Sequence, residues 1–254
     1  MKNIIRKIIL IVTFILLITG CSNDIKEKKI ILNLSVASSL KDAMIDIKQN
    51  YEAINKNVEL VINYGSSGSL KHQIQNGAPC DIFISAGKIQ IDELEKEGVL
   101  ISDTIKPLVK NKLVLIGPKN SELKNINELN SDKVNYIGVG DPNSVPAGKY
   151  ADEVLINLDI KNKLEEKLVF AKDVKEVLAW VESENADAGF VYFSDTINNN
   201  KITIIEKIDE SKHSEIVYPV SIIKNSKNID QAKKFEEYIL SNEGKMIFTQ
   251  YGYR

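Results

Sequence analysis

Residues 136–150 do most to restrict the fold, because within this stretch a strand ends and a helix opens. Residues 136–139 form a short apolar run of strand type, and Gly140, Asp141 and Pro142 punctuate it as a turn. Pro146 then falls where a first helical turn favours proline. In such a helix the N–H groups of Ala147, Gly148 and Lys149 have no intrahelical acceptor, and the helix dipole favours negative charge at that end. Small side chains leave these donors open to an anion. The same punctuation also suits a plain connection whose glycines and prolines only shape the turn. The anion reading therefore needs support from elsewhere in the chain.

Similar entrances recur. Residues 30–36 read as a buried strand, and Ala37-Ser38-Ser39 leads into a helix with Leu40, Met44, Ile47, Tyr51 and Ile54 on one face. Ser39, with Asp42 three residues on, fits a capping box, and a cap hydroxyl at the end of a strand also stands where open α/β sheets bind ligands. Residues 58–62 read as a strand, 64–69 as a glycine-serine loop and 70–76 as a helix closed by Gly77. Residues 82–85 are a third strand, followed by a helix near 88–97; a strand at 113–116 precedes the stretch around Pro146. A strand at 168–170 then passes through Ala171-Lys172-Asp173 into a helix bearing Val174, Val177, Leu178 and Val181. The strand at 189–192 ends on Tyr192, whose phenol either faces a cleft or is bonded to backbone in the core. Strands at 202–205 and 216–223 and helices at 229–240 and 242–250 complete the chain. This alternation indicates an α/β protein with mainly parallel sheets flanked by helices.

The helix entrances at Ser39, Ser67, Ala147 and Val174 share small neutral residues and free N–H donors, while Lys71, Lys149 and Lys175 lie nearby without completing any of them. A site rich in donors and poor in acceptors selects a fully deprotonated oxyanion, because a protonated one brings an O–H that finds no acceptor. Micromolar binding needs roughly 8 kcal/mol, and one charge-assisted hydrogen bond nets about 1.5 to 3. Several entrances must converge.

Lys and Arg total 33 against 35 Asp and Glu, a formal net charge of -2, so there is no basic field for nucleic acid. At the N-terminus Lys2, Arg6 and Lys7 precede an apolar run over residues 8–18, which reads as a secretory signal and is short for a membrane span. It closes on Ile18-Thr19-Gly20-Cys21, which resembles the bacterial lipobox. That resemblance implies a lipoprotein signal peptide over 1–20, a lipid on Cys21 and a tether over 21–29; an uncleaved anchor helix is the alternative, and either places the domain outside the cytoplasmic membrane. Cys80 is then left without a disulfide partner and reads as a buried, inert thiol, and with only His72 and His213 a Cys/His zinc site has too few ligands. No Gly-x-Ser-x-Gly nucleophile elbow is present, since Ser69 stands where the loop at Gly65 and Ser67 would need its second glycine.

Val36-Ala37-Ser38-Ser39-Leu40, Gly65-Ser66-Ser67-Gly68-Ser69-Leu70, Gly77-Ala78-Pro79, Asp81-Ile82-Phe83-Ile84-Ser85-Ala86, Gly140-Asp141-Pro142 with Val145-Pro146-Ala147-Gly148, and Tyr218-Pro219-Val220 occur in that order. Together they resemble the molybdate-binding proteins of bacterial ABC transporters over the whole mature chain. The resemblance implies a two-lobed, type II periplasmic-binding-protein-like fold with the ligand in the interlobe cleft. Lobe 1 would comprise residues 30–110 and 219–254, lobe 2 residues 111–218, with crossing segments at 113–116 and 217–223. It implies that Ser39 and Ser67 donate to the anion, that the backbone of Ala147 and of Val174 contributes, and that Tyr192 is the strand-end tyrosine of the site; Ser38 is an alternative donor to Ser39. It further implies a monomeric, lipid-anchored extracytoplasmic protein that captures molybdate and tungstate for a permease, with no cofactor and no reaction of its own. Three alternatives stay open: a same-fold protein for sulfate or phosphate, the latter with Asp141 as the needed acceptor; a secreted serine hydrolase pairing Ser67 or Ser39 with His213 or His72; and a purely adhesive surface lipoprotein.

Overall fold

The computed structural model describes residues 29–254, so the signal peptide, Cys21 and all of the expected tether but Lys29 lie outside the described residues. In chain order the strands are β1 (Ile30–Ala37), β2 (Val58–Gly65), β3 (Ile82–Ile84), β4 (Lys106–Lys110), β5 (Leu113–Pro118), β6 (Ile137–Gly140), β7 (Leu168–Ala171), β8 (Ala188–Tyr192), β9 (Ile202–Lys207) and β10 (Val217–Ile222). They sort into two five-stranded sheets, ordered β2-β1-β3-β10-β4 and β7-β6-β8-β5-β9.

The sheets are mixed, which corrects the expectation of mainly parallel pairing. In the first, β1 runs parallel to β2 and β3, while β10 is antiparallel to β3 and β4. In the second, β6 runs parallel to β7 and β8, while β5 is antiparallel to β8 and β9. The parallel strands belong to the strand-helix-strand units that the alternation revealed. The antiparallel ones are added where the chain passes between lobes, and no crossover helix is needed to place them. Strand β4 had no counterpart in the sequence reading, because Pro107 between flanking lysines reads as a loop. At the edge of a sheet a proline is tolerated.

The crossings also differ from expectation. Residues 113–116 and 217–222 each lie within one sheet, and the chain changes lobe at Asn111-Lys112 and again over residues 208–216. Val217 and Tyr218 already pair with Lys110 and Val109 of the first sheet, and a register shift between Tyr218 and Pro219 accommodates the proline that appeared to start the return segment.

Of the apolar face expected for the first helix, Leu40, Met44, Ile47 and Tyr51 are buried as its periodicity implied, whereas Ile54 at the last turn is 66% exposed, beyond the reach of the sheet. Ala43, Met44, Ile47 and Tyr51 of the helix Lys41–Ile54 are buried with Leu32, Leu34 and Val36 of β1. One core runs from these residues through Leu113–Ile116 to Val177, Phe190 and Tyr192, so both lobes meet around the crossings. Cys80 flanks a smaller cluster built on Leu70, Phe83 and Leu94, and burial pushes its thiol up to about 11, where it is protonated and unreactive.

Candidate ligand-binding site

The C-terminal ends of β1, β2, β6, β7 and β8 face the interlobe cleft, and each hands the chain to a turn or helix start there. Ser39, Ser67, Ala147, Val174 and Tyr192 all line one small cavity in this cleft, together with Ala86. The cavity is small, about 10 Å3, so the walls are closely drawn together.

The donor state of each residue follows from its local structure. The helix Ser67–Gln75 begins earlier than the glycine-serine composition suggested, because Ser66 caps it by accepting from the Ser69 N–H at 3.3 Å. Ser67 is thereby the first helical residue, and its N–H has no intrahelical acceptor. Its Oγ accepts from the Ala86 N–H at 2.9 Å, which leaves the hydroxyl proton to the cavity. Gly68 N–H donates across the cleft to the Ser144 carbonyl at 2.9 Å.

Ser39 is not a helix cap. It sits inside a 3-10 turn, Ser38–Leu40, that places Leu40 before the helix and makes no side-chain cap bond. Its Oγ instead lies 3.0 Å from the Tyr218 Oη. Ser38 lines the same cavity.

In the second lobe Pro146 opens the helix Pro146–Asn157 as its spacing predicts, and Val145 before it supplies no side-chain acceptor, so the Ala147 N–H is open. Asp173 caps the helix Val174–Glu182 by accepting from Glu176 N–H at 3.1 Å, which leaves the Val174 N–H free of intrahelical bonds. Tyr192 ends β8 at 1% exposure, and its buried Oη makes no hydrogen bond. Burial raises the phenols of Tyr192 and Tyr218 far above the usual tyrosine range, so both keep their protons.

Among the described residues no charged side chain lines this cavity. Lys71 pairs with Glu93. Lys175 sits at the rim, with its ammonium 2.7 Å from Asp42 of the first lobe and 3.0 Å from Asp195 of the second. Burial lowers the Lys175 pKa, but the two carboxylates outweigh that and hold it above the ordinary lysine value. Burial raises that of Asp195, against the pull of Lys175. Asp141 stays out of the cavity and accepts from the N–H and Nδ2 of Asn143, both at 2.9 Å, as a turn residue does. His72 bonds Gln75 and His213 bonds the Ser214 carbonyl, so among the described residues neither histidine engages Ser39 or Ser67.

A roomier hollow of about 230 Å3 adjoins the site behind Pro146 and Tyr150. Lys88, Lys149, Glu153 and Glu215 give it mixed charge, and it lacks the converging helix starts. Two residues behind the cavity went unassigned from the sequence. Tyr218 carried a signal in the Tyr218-Pro219 pair; Asn111, in a Lys-Asn-Lys stretch, carried none.

The profile of bacterial extracellular solute-binding proteins matches residues 32–254. A Bacillus subtilis (strain 168) protein, YvgL, named as an ABC transporter substrate-binding lipoprotein, is 39% identical over 95% of this chain and 94% of its own. The molybdate-binding protein ModA of Haemophilus influenzae is 35% identical over 85% of this chain and 87% of its own. A solved substrate-binding domain assigned to a molybdenum ABC transporter from Clostridium difficile is 60% identical, with a TM-score of 0.70 over 89% of this chain and 99% of that one. The solved periplasmic molybdate-binding protein of Azotobacter vinelandii shares the fold at 23% identity, with a TM-score of 0.80 over 88% of this chain and 98% of that one.

Proposed function

This chain belongs to the bacterial extracellular solute-binding proteins, as a substrate-binding protein of an ABC transporter, and from that premise we propose that it captures molybdate, and tungstate with it, and delivers it to a membrane permease. The observation that carries the reading is the convergence of helix starts from both lobes, two serine hydroxyls and the unpartnered Tyr192 Oη on one neutral cavity. A fully deprotonated tetrahedral dianion presents only acceptors, and such a cavity presents donors. The names of the similar proteins support molybdate as the anion. The family is one of transport proteins and not of enzymes; on our reading the chain has no reaction and no cofactor, acts as a monomer, and is held at the outer face of the membrane by lipid on Cys21.

Phosphate keeps a proton at neutral pH and would need an acceptor, and Asp141, its only candidate, is engaged in a turn outside the cavity. A hydrolase would need a base beside Ser39 or Ser67, where among the described residues no histidine stands.

Lobe closure traps the anion, and the closed form is the one a permease would read.

The test is thermal unfolding of the full chain in mild detergent with molybdate, tungstate, sulfate or phosphate. At a hundredfold excess over Kd the binding anion adds about 2.7 kcal/mol. A rise with molybdate and tungstate alone is expected; a rise with sulfate or phosphate instead moves the ligand, and no rise with any rejects the reading. Ser39→Ala and Ser67→Ala are each expected to weaken molybdate binding by about 1 to 3 kcal/mol in calorimetric titration, with wild-type affinity in both rejecting the pocket. Asp42→Asn removes the first lobe's share of the rim ion pair. Because Asp42 is half exposed, the expected effect is an approximately two- to fivefold faster release in stopped-flow, a difference that fades in high salt.

A further inference from the structure

We propose that Tyr253 is a positioning residue for Ser39, and that residues 251–254 form a brace behind the cavity that holds the Ser39 turn in its binding geometry. This inference rests on the reading of the cavity as an oxyanion site. Tyr253 does not line the cavity. It is buried behind it at 3% exposure, and its Oη donates to the Ser39 carbonyl at 2.7 Å. Ser39 is thus held at both ends, with its hydroxyl 3.0 Å from Tyr218 Oη and its carbonyl bonded to Tyr253. The turn Ser38–Leu40 that carries it is three residues long, and so short a 3-10 turn has little stability of its own. Its place is set from outside.

The brace reaches both walls of the cavity. On the first lobe, Lys110 and Arg254 exchange backbone hydrogen bonds at 2.7 and 3.0 Å, which secures the segment to the end of β4, where the chain leaves for the second lobe. Tyr251 Oη donates to Asp46 of the helix Lys41–Ile54 at 2.7 Å. Toward the second lobe, Gly252 packs against the turn Phe193–Thr196 that directly follows Tyr192. A Cβ there would stand 2.9 Å from Ile197 Cγ1 and 3.2 Å from Phe193 Cδ1, and the φ of +81° also favours glycine. Arg254 donates to Glu210, in the second crossing, at 2.8 Å. Between the walls the ring of Tyr218 stands edge to face with those of Tyr192 and Tyr253, each pair 5.6 Å apart. A segment that lines no part of the site therefore meets the serine on one wall and the chain after the tyrosine on the other.

Tyr253 and Ser39 belong to the same lobe, so their bond persists when the lobes part, and the turn is already shaped when the anion arrives. Without the Tyr253 Oη the buried Ser39 carbonyl loses its donor, and ordering the turn becomes a cost of binding. Gly252 meets the opposite lobe, so closure around an anion also buries the brace.

The test is calorimetric titration of the full chain in mild detergent, for wild type, Tyr253→Phe and Tyr251→Phe, with whichever of molybdate, sulfate and phosphate wild type binds. Each variant keeps its ring and removes one phenol hydrogen bond from the same segment. Only Tyr253 reaches Ser39. Tyr253→Phe is expected to weaken binding about three- to tenfold, the net worth of one hydrogen bond, and Tyr251→Phe to stay within about twofold of wild type. Equal affinity in all three, with only the unfolding midpoint lowered, would reduce Tyr253 to scaffolding and overturn the proposal. Equal losses in both variants would overturn it too, as a general loosening of the segment. Hydrogen exchange of wild type reads the brace without any substitution, and decides if Tyr253→Phe does not fold. Residues 251–254 follow a helix end and exchange by local opening, and the saturating anion is expected to slow them about threefold or more. Unchanged exchange there would overturn the proposal. Wild type that takes sulfate or phosphate in place of molybdate would sink the molybdate reading, while the same comparison with that anion still decides this one. Wild type that binds none of the three would end both.

Discussion

Gly68→Ala is expected to weaken anion binding by about a hundredfold while leaving the ligand-free protein as stable as wild type. A Cβ at Gly68 would stand 2.5 Å from the Ser144 carbonyl oxygen and 2.7 Å from the Ser144 Cα. Both atoms are backbone and belong to the other lobe, in the turn that precedes Pro146. Neither can swing aside as a side chain would. The substitution therefore opposes closure, and it stretches the Gly68 N–H bond to the Ser144 carbonyl that spans the cleft. Overpacking of this kind costs about 1 to 3 kcal/mol, and a hundredfold lies at its upper end. When the lobes part the clash vanishes, and alanine within a helix is favoured over glycine by up to about 1 kcal/mol, so the open form has no reason to lose stability. Calorimetric titration and small-angle scattering would read both halves of the expectation. Wild-type affinity in this variant would mean that the anion binds without the lobes meeting at Ser144.

Gly148→Ala is expected to behave in the opposite way, with a loss of about 3 kcal/mol or more of stability in the absence of any anion. Here the added carbon would fall 1.8 Å from the Gly140 carbonyl oxygen and 2.4 Å from its carbon, both at the end of β6 in the same lobe. No hinge motion relieves that contact. The helix Pro146–Asn157 would have to lift from the strand, carrying the Ala147 N–H out of the cavity. For a protein of this size the midpoint should fall by roughly 6 to 12 °C on thermal unfolding. An unchanged midpoint would show that the helix start is not seated on β6 as described. The two glycines lie in similar-looking sequence, one in Ser-Gly-Ser and one in Ala-Gly-Lys, and only their partners separate a binding defect from a folding defect.

What could be read in advance was what depends on neighbours in sequence. Pro146 as the first residue of its helix, Asp173 ahead of Val174, and the buried face of the helix Lys41–Ile54 up to Tyr51 are local patterns, and the structure holds them. The five residues named for the pocket also meet in one cavity. What escaped depends on distant partners. Ser39 looked like a cap because Asp42 follows it, yet its hydroxyl pairs with that of Tyr218, at a separation of 179 residues. Asn111 gave no sign, since its meaning comes only from Ser194 and Tyr218 arriving beside it. Strand direction escaped for the same reason: β5 and β10 run against their neighbours because of where the chain crosses.

That crossing pattern also orders the assembly of the protein. All five strands of the second sheet lie in one uninterrupted run from Leu113 to Lys207, whereas the first sheet needs β10 between β3 and β4, from near the far end of the chain. A polypeptide made and exported from its N-terminus thus holds the complete second lobe before it can close the first. Until Val217 arrives, β3 has an open edge and β4 has no strand beside it. The lobe that is written first is the last to finish, and a chain cut short before β10 would expose an unpaired sheet edge to other unfinished copies.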